Sequence, residues 1–235
     1  MELNELLTEL EALGTPSIKK VLMNQGAPEP IWGVRIGDMK PLLKKIKNNQ
    51  DLALKLYETG ISDAMYLAGL AADGAKMNKE TLQHWVELAS WEMISEYTVP
   101  WVAAENPNAL ELALEWIESE KESIASSGWC LLSGLATLKK DEELDIALYS
   151  SLLKRVESSI AQAKNREKYC MNNFVIATGA GISSLTEEAM QIARKNGKIE
   201  VMTGKTACKV PYAPDYLQKI IDMGRIGFKK KTLKC

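Results

Sequence analysis

The sequence predicts an all-α fold, a curved α-solenoid of stacked helix pairs. Three observations lead there. Apolar residues recur at helical spacing along nearly the whole 235-residue chain. The joins between these stretches are short and carry capping residues, prolines and glycines where helices start and stop. No alternation of strands with helices interrupts the pattern. KIEVMT (198–203) is the one segment that reads as a strand or extended piece.

The elements follow in order. Leu3, Leu6, Leu7, Leu10 and Leu13 share one face of a first helix, which Gly14 stops. Thr15 and Pro16 open a second as N-cap and first-turn proline. APEPIWGVRIG (27–37) reads as a loop with an exposed Trp32. Asp38 is expected to cap MKPLLKKIKN, Ser62 to cap DAMYLAGLAA and Asn78 to cap KETLQHWVELA, with a short helix from Asp51 to Tyr57 between the first two. Thr98 with Pro100, and Asn106 with Pro107, start the next helices. Helical periodicity continues through 121–138, 142–163 and 165–180. Ser184 and Glu187 have the spacing of a capping box, and Pro214 begins a last helix that Gly224 ends. So many helices with short joins suit pairs of roughly 40 residues stacked as a HEAT-like, armadillo-type solenoid. The expected organisation is a single HEAT-like domain over 1–224 and a flexible basic tail over 225–235.

Composition narrows the class. Hydrophobic residues at 46% and charged residues at 26% are ordinary for a soluble globular protein. No apolar run approaches the ~18–20 residues of a membrane span, and the acidic amphipathic start is no secretory signal. Cys130, Cys170, Cys208 and Cys235 are scattered without a CxxC pair, and His84 is the one histidine. No metal site and no cofactor are therefore expected, and scattered thiols suit a reducing cytoplasm. The net charge of −2 hides an asymmetry: residues 194–235 hold eleven Lys or Arg against three acids, a net +8, and the preceding residues a net −10. A basic end on an acidic body suggests a polyanionic partner, or simply a solvated terminus.

Chemistry concentrates in HWVELASWEMISEYTVPW (84–101). It holds three of the six tryptophans, Trp85, Trp91 and Trp101, with Glu87, Glu92 and Glu96, and Glu105 just beyond. Such a cluster is either a core seam between helices or a pocket that holds a cation against aromatic faces and a carboxylate.

Several segments resemble the DNA alkylation repair enzyme family, the AlkD-type HEAT-like DNA glycosylases. WGVRIGDMKPLLKKIKNNQDLALKLYETGISDAMYLAGL (32–70) is similar to that family's N-terminal signature. ASWEMISEYTVPW (89–101), SSGWCLLSGLA (126–136) and NREKYCMNNFVIATGAG (165–181) are similar to its next three helices. TACKVPYAPDYLQKI (206–220) and the basic tail resemble a bacterial subgroup. The resemblance implies a solenoid that cradles duplex DNA on a basic concave face. Active members excise cationic alkylated purines such as 3-methyladenine or 7-methylguanine. Aromatic faces attract the charged base by about 0.5–2 kcal/mol each, and a carboxylate stabilises the sugar cation left behind.

The family spaces its catalytic residues as Trp-x-x-x-Asp. Trp91 fits the tryptophan, Ser95 stands at the carboxylate position, and Glu92 and Glu96 flank it. The following Trp-x-x-Arg reads Trp129 to Leu132, without the arginine. The resemblance thus nominates Trp91, Glu92, Ser95 and Glu96 as catalytic positions and Tyr97, Trp129, Asn172 and Asn173 as pocket residues. Their positive charge makes Lys40, Lys44, Lys47, Arg166, Lys168, Lys209, Arg225, Lys229, Lys230 and Lys231 candidate phosphate contacts on DNA, with solvated surface charge as the other reading. Lys40, Lys44 and Lys47 fall at i, i+4, i+7 on one expected helix face. Three readings stay open: a DNA repair protein of this family with or without glycosylase activity, a noncatalytic module for nucleic acid or protein, and a small-molecule or nucleotide site in the cleft. Duplex DNA is the expected partner, and a protein partner is the alternative.

Overall fold

The computed structural model describes residues 1–204 and 209–234, and every regular element among them is helical. These residues divide into two compact units. The first holds Met1–Ala109 with 203–204 and 234. The second holds Leu110–Met202 with 209–233.

The first unit contains α1 (Leu3–Ala12), α2 (Pro16–Asn24), α3 (Lys40–Ile46), α4 (Gln50–Tyr57), α5 (Ser62–Ala71), α6 (Lys79–Leu88) and α7 (Val99–Ala103). Short 3-10 turns lie at Ile36–Met39 and Gly74–Lys76, and a wide π turn, Met93–Thr98, leads into α7. α5 is the hub. It packs against α4, α1, α3, α7 and the π turn. Its residues Ser62 to Gly69 are all buried, so its apolar sequence needs no polar face. Gly69 makes the contact with the π turn possible, because a Cβ there would collide with the Thr98 side chain. Trp85 of α6 lies flat on Tyr57 of α4, ring centroids 3.8 Å apart, and the Tyr57 hydroxyl donates to the Trp85 carbonyl at 2.7 Å. Burial and the neighbouring Glu58 carboxylate push the Tyr57 phenol well above its usual pKa, so it stays a donor.

α8 (Ala109–Trp116) starts at the last residue of the first unit. The second unit continues with α9 (Glu122–Leu138), α10 (Ile146–Ser159), α11 (Asn165–Gly181), α12 (Thr186–Asn196) and α13 (Ala213–Asp222). α11 is central, packed on α9, α10, α12 and α13. Phe174 of α11 meets Trp129 of α9 at 5.2 Å and Tyr149 of α10 at 5.9 Å, all three fully buried. Burying an aromatic side chain of this size contributes about 4–6 kcal/mol before conformational entropy is charged against it. The tail takes a defined path in this unit. Gly227 N–H donates to the Ala180 carbonyl and Lys230 N–H to that of Thr137, both at 2.8 Å.

Caps separate what local chemistry dictates from what packing dictates. Thr15 accepts from Ile18 N–H at 3.4 Å and Asn78 from Thr81 N–H at 2.8 Å, as their positions before the helices require. Asp38 instead lies inside a 3-10 turn, and no side chain caps α3. Ser62 is the first residue of α5 rather than its cap, and its buried hydroxyl has no partner among the described residues. The Ser184–Glu187 capping box does not form, because Ser183–Leu185 coils into a 3-10 turn and α12 starts at Thr186. The expected strand at 198–203 forms no ladder among the described residues.

Candidate functional site

Trp91 stands at the mouth of the π turn and is 9% exposed. With Ile31, Met39, Asp63, Tyr66 and Met93 it lines a cavity of about 40 Å³. That is room for one water molecule, whose share of liquid volume is about 30 Å³, and not for a purine. The Trp91 indole N–H is buried without a partner among the described residues.

Asp63 is the carboxylate of this cavity, and it has a structural task. It accepts from the backbone N–H groups of Trp32 at 2.6 Å, Gly33 at 3.3 Å and Val34 at 2.8 Å, folding the 27–37 loop over α5. Gly33, at φ +79°, is where that loop presses on the backbone of Lys19. Trp32, expected to be exposed, is half-buried by the same arrangement. The sequence reading missed Asp63 and Tyr66. The one available signal was an acid in the first turn of a helix without a polar face.

Ser95, at the family's carboxylate position, is 3% exposed and turns its hydroxyl onto the Trp91 carbonyl at 3.2 Å. The Ser95 N–H donates to the same carbonyl at 2.9 Å. From Ile94 onward the ladder widens: the Val99 N–H reaches the Ile94 carbonyl, and the Thr98 hydroxyl reaches that of Met93 at 2.9 Å. Such turns are frequent at functional sites. Glu96 is buried inside the turn, 4% exposed. Glu92 is half-buried and lies against the turn at Gly26, whose added Cβ would sit 3.4 Å from its carboxylate. Tyr97 is 40% exposed and meets Trp101 edge-on at 6.1 Å, and Trp101 meets Tyr66 edge-on at 5.8 Å. A run of aromatic rings thus leads from the Trp91 cavity to the surface. His84 takes no part, since it pairs with Glu58 at 3.0 Å.

In the second unit the pocket residues are placed differently. Trp129 is fully buried, its indole N–H donating to Glu167 at 3.4 Å and its ring facing Arg155 at 5.7 Å. Arg155 in turn clamps both carboxylate oxygens of Glu118. Leu132, at the family's arginine position, is also fully buried, and its carbonyl accepts from the Tyr149 hydroxyl at 3.0 Å. Asn172 is 3% exposed and donates to the Pro211 carbonyl at 2.9 Å, tying down the chain before α13. Asn173 is half-buried beside it in sequence. Cys130 and Cys170, forty residues apart, bring their sulfurs within 3.4 Å without forming a disulfide. Cys208, Cys235 and Thr206 lie outside the described residues.

The basic candidates split by what already holds them. Lys40, Lys44 and Lys47 are exposed without ionic partners among the described residues, while Lys45 pairs with Glu9 at 2.6 Å. α3 ends at Ile46, so Lys47 follows the helix rather than continuing its face. Arg225, Lys230, Lys231 and Lys209 are exposed, with Arg225 against Phe228 at 5.8 Å. Lys229 is engaged: it donates to the Ala136 carbonyl at 2.9 Å and pairs with Asp141 at 2.8 Å. Arg166 stacks on Tyr169 at 4.4 Å and Lys168 is half-buried. Among the described residues no helix is long and apolar enough to cross a membrane.

Known proteins frame this geometry. The family model for the DNA alkylation repair enzyme matches residues 6–216. The uncharacterized protein Lin0241 of Listeria innocua serovar 6a is 34% identical over 222 residues, 92% of this chain and 96% of its own length. The uncharacterized protein Lmo0209 of Listeria monocytogenes serovar 1/2a is 35% identical over the same shares. A solved structure from "a new family of proteins related to the HEAT-like repeat DNA glycosylases with affinity for branched DNA structures" is 37% identical, with a TM-score of 0.93 over 100% of both chains. The fold is therefore the HEAT-like repeat fold that the helix pattern predicts. By these matches the chain belongs to the DNA alkylation repair enzyme family.

Proposed function

We propose that this protein binds DNA in a repair role, prefers branched structures and does not excise alkylated bases. The observation that carries the reading is the end-to-end likeness, at 37% identity, to a structure from a family described as having affinity for branched DNA. Each unit adds exposed basic residues without ionic partners among the described residues, Lys40, Lys44 and Lys47 in the first and Lys209, Lys230 and Lys231 in the second. Phosphates along a duplex reward such residues without regard to sequence.

The positions that match the family's pattern weigh against excision. Base release needs a cavity for a purine and a charge beside the sugar. Trp91 lines about 40 Å³, Ser95 spends its hydroxyl on a backbone carbonyl, and Leu132 is sealed in the core. Asp63 is spent on three backbone N–H groups, and the buried Glu96, next to Ser95 in sequence, supports the alternative of a relocated carboxylate.

Two assays test the reading. Gel-shift titrations compare a four-way junction with a linear duplex of the same length at two salt concentrations. The junction is expected to bind at least tenfold more tightly, and equal affinity sinks the branch preference. Duplex carrying 7-methylguanine is expected to lose its base no faster than spontaneously. Release that is abolished in Glu96→Gln establishes the relocated-carboxylate enzyme instead.

A further inference from the structure

A cavity of about 540 Å³ in the first unit is separate from the Trp91 site. Its size is that of small-molecule pockets, about 300–1,000 Å³. Leu43, Leu70 and Ala71 supply apolar wall, and Lys44, Lys47 and Lys234 supply cations. Asp73 and Glu105 also line it, and both are already engaged. Asp73 pairs with Lys76 at 3.1 Å and accepts from Ala75 N–H at 3.1 Å, and the Lys76 ammonium holds its carboxyl below the usual range. Glu105 accepts from Gly74 N–H and from Lys234, both at 2.9 Å, and Lys234 also donates to the Ala72 carbonyl at 2.5 Å. Lys44 and Lys47 are left as the cations without ionic partners among the described residues.

An apolar wall beside two unneutralised ammonium groups matches a flat heteroaromatic ring joined to a phosphate. Asn48, at φ +68°, turns the chain directly after Lys47, so the two lysines reach the cavity from a helix and from the turn that ends it. A paired duplex presents phosphates but keeps its bases stacked, and a cavity has nothing to offer a stacked base. We infer that this cavity takes one unpaired nucleotide, its base against Leu43, Leu70 and Ala71 and its phosphate on Lys44 and Lys47. The inference rests on the DNA-binding reading above and adds what distinguishes a branch from a plain duplex: nucleotides free to leave the stack.

The test uses the full chain and two probes. The first is a pair of four-way junctions, one fully paired and one carrying two unpaired adenosines at the crossover. Wild type is expected to favour the unpaired junction by at least fivefold. Lys44→Gln/Lys47→Gln is expected to weaken both junctions, since the two lysines also meet backbone phosphates, but to weaken the unpaired one at least threefold more, so that the preference falls to within twofold. Losing one phosphate contact lowers the logarithmic salt slope by about 0.9. Equal losses on both junctions, or an unchanged preference, overturn the inference and leave the lysines as backbone contacts. The second probe is deoxyadenosine monophosphate alone, followed by methyl chemical shifts of Leu43, Leu70 and Ala71. Shifts that vanish in the double variant support the cavity even if no branched DNA binds, so failure of the pocket and failure of DNA recognition are told apart. No shift together with no junction preference overturns it.

Discussion

In the first unit the segment from Trp91 to Trp101 breaks regular helix geometry with a π turn, keeps an aromatic ring at the surface and borders a small cavity. In the second unit α9 and α11 run as regular helices of seventeen residues each, and the tryptophan between them is sealed by Phe174, Glu167 and Arg155. The family's catalytic pattern points to both places. One still has the irregularity and exposure that a site requires, and the other has become core. The two places thus depart from the family's pattern in different ways: at Ser95 the expected carboxylate is replaced beside an exposed ring, and at Trp129 and Leu132 the whole position is enclosed.

The largest effect that separates the two places is in stability. Trp129→Ala is expected to cost about 3–5 kcal/mol, because a fully buried indole leaves a hole that two long helices cannot close. Trp91→Phe is expected to stay within about 1 kcal/mol of wild type, since the change removes a buried N–H that has no partner among the described residues. Urea denaturation followed by circular dichroism reads both. A large loss at position 91 with little at 129 would reverse the comparison.

Ser95→Asp restores the carboxylate that the family pattern asks for, and it sharpens the contrast from the functional side. Position 95 is 3% exposed and adjoins the buried Glu96 in sequence, so a second carboxylate there meets both desolvation and like charge. The expected result is a loss of about 3 kcal/mol with no release of 7-methylguanine. Base release by this variant would show that the site lacked only its acid, and that the sealed Leu132 position is dispensable.

How much of this was legible in the sequence depends on the range of the forces involved. Thr15 and Asn78 cap as expected because a cap is settled within three residues. Asp38 and Ser184 fail because 3-10 turns precede their helices, and those turns answer to tertiary packing. The Trp91–Ser95 spacing was readable. The π turn that follows was not, since it depends on Gly69 admitting Thr98 from a helix distant in sequence. The basic residues were legible by charge alone. Which of them are engaged was not: Lys229 finds Asp141 only through the path of the tail, and Lys47 leaves the α3 face only because the helix stops at Ile46.

The smallest effect concerns what seals the second place. Arg155 joins Glu118 on one side to the Trp129 ring on the other, and its guanidinium holds the Glu118 carboxyl below the usual range. A carboxylate whose pKa is lower folded than unfolded stabilises the fold above its unfolded pKa, and that contribution disappears as the pH falls through the lowered value. Glu118→Gln is therefore expected to cost most at neutral pH, and its stability curve is expected to meet that of wild type in acid. The Glu118 side chain is 63% exposed, so solvent screening limits the cost to about 1 kcal/mol or less, and added salt shrinks it further. Paired urea titrations across the acidic range measure the gap. A gap of constant size at every pH means that packing around Arg155, not its charge, closes the wall over Trp129. The enclosure of that position would then rest on shape alone.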